Sequence, residues 1–98
     1  MLELRPNCEH CDKDLAPDAE DAMICSFECT FCLDCVKHVL QSVCPNCAGH
    51  FTQRPIRPAK HGRNDNDLDH YPASTTRRFR PVDVAKHLHL LTTKSVVN

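Results

Sequence analysis

Eight cysteines crowd into the stretch from Cys8 to Cys47 of a 98-residue chain, and the rest of the sequence has none. They form a ladder: Cys8-x2-Cys11, thirteen residues, Cys25-x3-Cys29-x2-Cys32-x2-Cys35, eight residues, Cys44-x2-Cys47. A CxxC on a tight turn brings two thiolates within bonding reach of one tetrahedral ion. Eight such ligands make two closed four-cysteine sites. Both are saturated and leave no position for substrate or activated water, so the reading is structural zinc, two ions, rather than catalytic zinc.

The even count would also suit a disulfide framework in a small secreted domain. Against that, the cysteines come in close pairs, which cross-link distant segments poorly. The opening Met1-Leu2-Glu3-Leu4-Arg5-Pro6 also lacks a basic stretch followed by an apolar one. No apolar run approaches the roughly 20 residues of a membrane span. The expectation is therefore a cytoplasmic protein with no membrane partner. A thioredoxin-like redox pair would need a βαβ context that this chain does not supply.

Energetics point the same way. With no Trp, one Tyr and four Phe, the chain has little aromatic volume for a core. Below about 70–80 residues an apolar core rarely supplies more than 3–5 kcal/mol. A structural zinc site can contribute on the order of 10–16 kcal/mol at neutral pH. The domain is therefore expected to fold only with metal.

Organisation follows the cysteines. Two prolines in Arg54-Pro55-Ile56-Arg57-Pro58 mark a break, which gives a domain over 1–58 and a tail over 59–98. The domain carries five basic and nine acidic side chains, a balance of −4, and the tail seven and four, a balance of +3. Ala22–Cys25 and Thr30–Cys32 read as two short strands around a Ser26-Phe27-Glu28 turn. Val36, Val39, Leu40 and Val43 fall on one helix face between Cys35 and Cys44. Phe27 and Phe31 are expected near that helix, with Phe51 and Ile56 returning to cover it. The polar, aperiodic stretch Lys60–Asp67 reads as linker, and the tail as largely disordered. Val84, Leu88 and Leu91, behind Pro81, predict a short helix around 82–92. Such a helix is marginal alone: a frayed terminus is the preferred reading and docking on the domain or a partner the alternative.

The ladder resembles the RING-finger pattern of pair, long loop, two singles, pair, helix and pair. Cys29-Thr30-Phe31-Cys32-Leu33-Asp34-Cys35 followed by Cys44-Pro45-Asn46-Cys47 is similar to that family's second half, with Cys29 where most members carry histidine. The resemblance covers residues 8–47. It implies a small metal-stabilised α+β fold of RING-like, treble-clef type, with a short β-hairpin and one short helix. It also implies a cross-brace, with Cys8, Cys11, Cys32 and Cys35 on one zinc and Cys25, Cys29, Cys44 and Cys47 on the other. Spacing alone leaves open a sequential arrangement: Cys8, Cys11, Cys25 and Cys29 on one ion, and Cys32, Cys35, Cys44 and Cys47 on the other. Residues 1–58 also resemble a bacterial family of short cysteine-rich proteins catalogued only as a domain of unknown function. Its members often have cysteine where His10 stands, so His10 is not expected to be an obligatory ligand. His10, His38 and His50 are all read as surface groups.

The favoured function is a structural-zinc module that binds a protein partner not identified by the sequence. Two tetrathiolate zinc sites, each formally −2, take the domain to about −8. That charge is a poor match for a phosphate backbone, and Arg77, Arg78 and Arg80 around Phe79 are a weak nucleic-acid signal, so no nucleic acid is expected. An iron–sulfur electron-transfer protein is the alternative: Cys29-x2-Cys32-x2-Cys35 with Cys44-Pro45 resembles a cluster ligand run but uses only half the cysteines. A further alternative, ubiquitin-ligase activity, would follow from the RING resemblance. Glu9 and His10 stand where such ligases usually have an apolar residue, and Ala48 where they often have a cation. Ser26, Ser42, Ser74 and Ser95 lie in no nucleophile motif, and no enzyme is expected.

Overall fold

The computed structural model describes residues 1–97. Its regular structure is a three-stranded antiparallel sheet, a six-residue helix, one 3₁₀ turn and a C-terminal helix. The strands are β1 (Ala22–Ile24), β2 (Thr30–Cys32) and β3 (Thr52–Gln53), in spatial order β2-β1-β3. The β1–β2 hairpin pairs Met23 with Phe31 and Ile24 with Thr30. The third strand adds to the free edge of β1, pairing Ile24 with Thr52. Nothing in the two exposed residues Thr52 and Gln53 announces a strand. They become one because β1 offers them an edge.

Helix α1 (Leu33–His38) begins directly from β2, with Cys32 in extended conformation as its N-cap. It stops sooner than the apolar spacing suggests, because Gln41 and Ser42 both take left-handed backbone conformations. The last carbonyls are taken up locally: Leu40 N–H donates to Cys35 O at 2.8 Å and Ser42 N–H to Val36 O at 2.9 Å. Val36 and Leu40 are buried as the stripe predicts, and Val43 is buried from the turn rather than from a helix.

The core is small and partly made of sulfur. Cys8, Leu15, Ala22, Phe31, Cys32, Cys35, Val36 and Leu40 form one buried cluster. Phe51 returns onto it and meets Phe31 edge to face, with ring centroids 5.6 Å apart. Two expectations fail at this level. Phe27 sits at the hairpin tip, 71% exposed, because a turn there leaves it no surface to pack on. Ile56 is also exposed, since the chain past β3 runs along the outside of the domain.

Past Pro58 the backbone is mostly irregular, with only the 3₁₀ turn Arg63–Asp65 and helix α2 (Val84–Val97). It nonetheless lies against the domain. Ser74 N–H donates to Glu3 O at 3.1 Å, Arg80 N–H to Glu9 O at 2.7 Å, and Val82 packs on the core cluster. Asp83 starts α2, its carboxylate accepting from the Lys86 amide at 3.1 Å, the bond an N-cap makes. The helix does not dock through the predicted stripe, whose Val84 and Leu88 are exposed. It docks through His87, 2% exposed, whose Nε2 donates to Leu40 O at 2.7 Å.

Candidate metal centre

The two outer CxxC pairs fold into the same backbone device. At the first, Cys8 N–H donates to Lys13 O and Asp12 N–H to Cys8 O, at 2.8 and 2.9 Å. At the last, Cys44 N–H donates to Gly49 O and Ala48 N–H to Cys44 O, both at 2.8 Å. The residue after each second cysteine is left-handed, Asp12 with φ 63° and Ala48 with φ 63°. The chain thus turns tightly enough for both sulfurs of each pair to face the same point. Amides two residues on then point at sulfur: Gly49 N–H donates to Cys47 Sγ at 3.4 Å, and Phe27 N–H does the same to Cys25 Sγ at 3.4 Å.

Two of the inner cysteines are set by regular structure. Cys32 ends β2 and Cys35 lies in the first turn of α1, so the strand-to-helix corner aims both at the first knuckle. The sulfurs of Cys8, Cys11, Cys32 and Cys35 lie within 4.8 Å of one another. Cys25, Cys44 and Cys47 form a second group within the same limit. The first and third pairs therefore meet, which is the cross-brace grouping and not the sequential one. Cys29 is not in the three-sulfur group. It lies beside it, close to Cys25 and Cys44, and accepts a hydrogen bond from Asn46 Nδ2 at 3.5 Å.

The first group has the dimensions of a thiolate metal site. Four sulfurs at about 2.3 Å from a tetrahedral ion lie about 3.8 Å apart. Cys11 Sγ and Cys32 Sγ are 3.7 Å apart, and none of the eight cysteines is in a disulfide. Burial and neighbouring donors pull the thiols of these clusters in opposite directions. Burial, reinforced by neighbouring thiols, pushes the Cys35 thiol far up, and burial does the same to Cys44. Burial also raises Cys29 and Cys32. At Cys11 and Cys25 burial acts in the same direction but is outweighed by amide and thiol donors, and both thiols end below their usual range. Sulfurs gathered this closely make a donor set that could hold a metal ion.

Several polar residues that the sequence reading treated lightly hold these loops in place. Glu9 is buried. Its Oε2 accepts from Thr30 N–H at 2.7 Å and Arg5 Nη1 at 3.1 Å, tying the first knuckle to β2. Arg54 is also buried. It donates to Arg5 O and Ala16 O at 2.8 Å each, clamping the chain after β3 onto the N-terminal loops. His10, read as a surface turn residue, is half-buried, and its Nδ1 accepts from Val82 N–H at 2.9 Å. His38 and His50 are exposed as expected. Neither these histidines nor any carboxylate joins a sulfur group among the described residues.

Fold and site together define a small α+β module organised around two clusters of cysteine sulfur that could hold metal ions. The chain belongs to the family described as Protein of unknown function (DUF1272), whose profile matches residues 1–57. It is 56% identical over 81 residues to an uncharacterized protein of Rhizobium meliloti (strain 1021), a match covering 83% of this chain and 89% of that protein. An 81-residue match within 98 residues cannot end before residue 81, so the similarity extends past the family's own boundary into the tail. No solved structure matches the chain. Among the described residues, no helix is long and apolar enough to cross a membrane.

Proposed function

We propose that the chain is a non-catalytic, cytoplasmic protein-interaction module held together by two structural zinc ions. Cys8, Cys11, Cys32 and Cys35 hold one, and Cys25, Cys29, Cys44 and Cys47 the other. The observation that carries this reading is the approach of four sulfurs from two separated pairs to within 4.8 Å of one another, at a spacing suited to a tetrahedral thiolate site. Cys29 lies beside Cys25 and Cys44, and in this reading it supplies the fourth ligand of the second set. Filled in this way, both sites offer four protein ligands and no open position, so the metal supplies cohesion rather than chemistry.

An all-thiolate donor set favours zinc or iron–sulfur chemistry over hard-cation binding. Using all eight cysteines in two mononuclear sites favours zinc. Elemental analysis of the purified chain, read with its absorption spectrum, tests this. The expected result is two zinc ions per chain and a colourless protein. Iron with absorption near ~400 nm would replace zinc by a cluster, and a metal-free but fully ordered protein would remove the reading altogether.

A further inference from the structure

We propose that the acidic face around the first cysteine knuckle reads peptides, that it takes an extended arginine-rich segment of a partner protein, and that the chain's own residues 74–82 fill it in cis. The inference rests on the interaction-module reading and gives that module's partner a chemistry.

The tail is bound as a foreign peptide would be. Asn7, fully buried, engages the backbone of one residue at two points: its Nδ2 donates to Arg78 O at 2.9 Å and its Oδ1 accepts from Arg78 N–H at 3.2 Å. Glu9 O takes the Arg80 amide and His10 Nδ1 the Val82 amide. The face thus holds the main chain at residues 78, 80 and 82, a mode of recognition that any extended segment satisfies. Selectivity comes from charge. Arg77 reaches Asp12 Oδ1 at 2.8 Å and Asp14 Oδ1 at 2.6 Å, and Arg78 reaches Glu3 Oε2 at 3.5 Å. Arg77 divides its two terminal nitrogens between two carboxylates, so the face favours a cation at this position through charge-assisted hydrogen bonds.

The same contacts make the segment exchangeable. The side chains of residues 75–81 are exposed, and Val82 is the one apolar anchor on the core in this stretch. Exposed ion pairs are weak and screened by salt. An open cleft of about 390 Å³ lies between Phe31, Pro45 and Asn46 on the domain and Arg80, Val82 and Leu90 on the tail. The domain beneath has its own core and sulfur clusters. A covalently tethered segment acts at an effective concentration in the roughly millimolar range, so the intact chain is self-blocked and a competitor sees reduced affinity. The domain's −4 balance excludes a phosphate-bearing competitor and selects a basic one.

A fluorescein-labelled peptide with the sequence of residues 74–83 tests this by anisotropy against three full-length proteins. These are the intact chain, the Arg77→Glu/Arg78→Glu variant that frees the face, and that variant with Asp12→Asn and Asp14→Asn added. The expected result is at least about tenfold tighter binding to the freed variant than to the intact chain, with that gain lost on adding Asp12→Asn and Asp14→Asn. No gain in the freed variant, or a gain indifferent to neutralising Asp12 and Asp14, would overturn the proposal. So would a dimer of the intact chain that exchanges tails while the freed variant ignores the peptide. Metal content measured on all three proteins keeps the two ideas separate. Full metal without peptide binding sinks this inference alone, whereas proteins that are folded without metal sink the reading beneath it.

Discussion

Asn7, Glu9 and Arg54 occupy buried positions where a larger domain would place aliphatic side chains. Each directs polar atoms to carbonyls or amides that short, irregular loops would otherwise leave unpaired, although the buried Arg54 Nε itself has no partner among the described residues. Arg54 is the clearest case, since removing its guanidinium strands the carbonyls of Arg5 and Ala16 together. Arg54→Met keeps the apolar stem and should cost roughly 2–3 kcal/mol, seen as a lower denaturant midpoint of the metal-loaded protein. These residues were illegible in the sequence because no period or motif marks them. Their burial is decided by groups up to about fifty positions away. The sulfurs follow a different residue-scale rule. Burial raises Cys29, Cys32, Cys35 and Cys44, and a metal binds only their deprotonated forms. Protons therefore compete with metal, and acidification favours the protonated thiols. Apparent metal affinity should fall steadily as pH is lowered below neutrality and recover on return. A chromophoric chelator titrated at several pH values measures this, and a pH-independent affinity would count against thiolate ligation.

Among the elements, the two matching knuckles bear most directly on the site. Ala48 supports a left-handed conformation that a β-branched residue tolerates poorly. Ala48→Val should therefore destabilise the metal-bound domain by about 1–2 kcal/mol while removing no ligand. Thermal unfolding of the loaded protein reports the loss, and an unchanged midpoint would mean that the knuckle does not need that turn. Helix α2 depends on its cap instead. Asp83→Ala should cost about 1 kcal/mol and lower helical circular dichroism, with the domain's metal content unchanged. Elements tied to cysteines were the more legible ones: β1 and β2 appear where the strand reading places them, whereas α1 opens at Leu33 and ends at His38, so it holds only Val36 of the valine–leucine stripe. β3 was not legible, because two exposed residues carry no pattern. The end of α1 was missed because Gln41 and Ser42 adopt left-handed conformations without glycine. In α2 the predicted stripe of Val84, Leu88 and Leu91 has its first two members exposed, and docking falls to the neighbouring His87, which that apolar spacing does not mark. The grouping of the sulfurs was not legible from spacing, since cross-brace and sequential pairings use the same ladder. Only the strand-to-helix corner at Cys32 and Cys35 decides between them.

Taken whole, the molecule is a sulfur-centred domain wrapped by its own basic tail. Its radius of gyration, 14.7 Å, exceeds the about 13 Å of a compact chain this long, in keeping with a C-terminal helix that, among the described residues, packs on no strand or helix of the domain. The apolar cluster is small and three of its eight members are cysteines, so cohesion is expected to come from metal coordination. Zinc K-edge X-ray absorption on the purified full-length chain probes that claim at the atoms concerned. The account predicts a shell of four sulfurs at about 2.3 Å for every zinc ion, with two ions per chain. A shell containing nitrogen or oxygen, or a folded chain with no zinc signal at all, would contradict it.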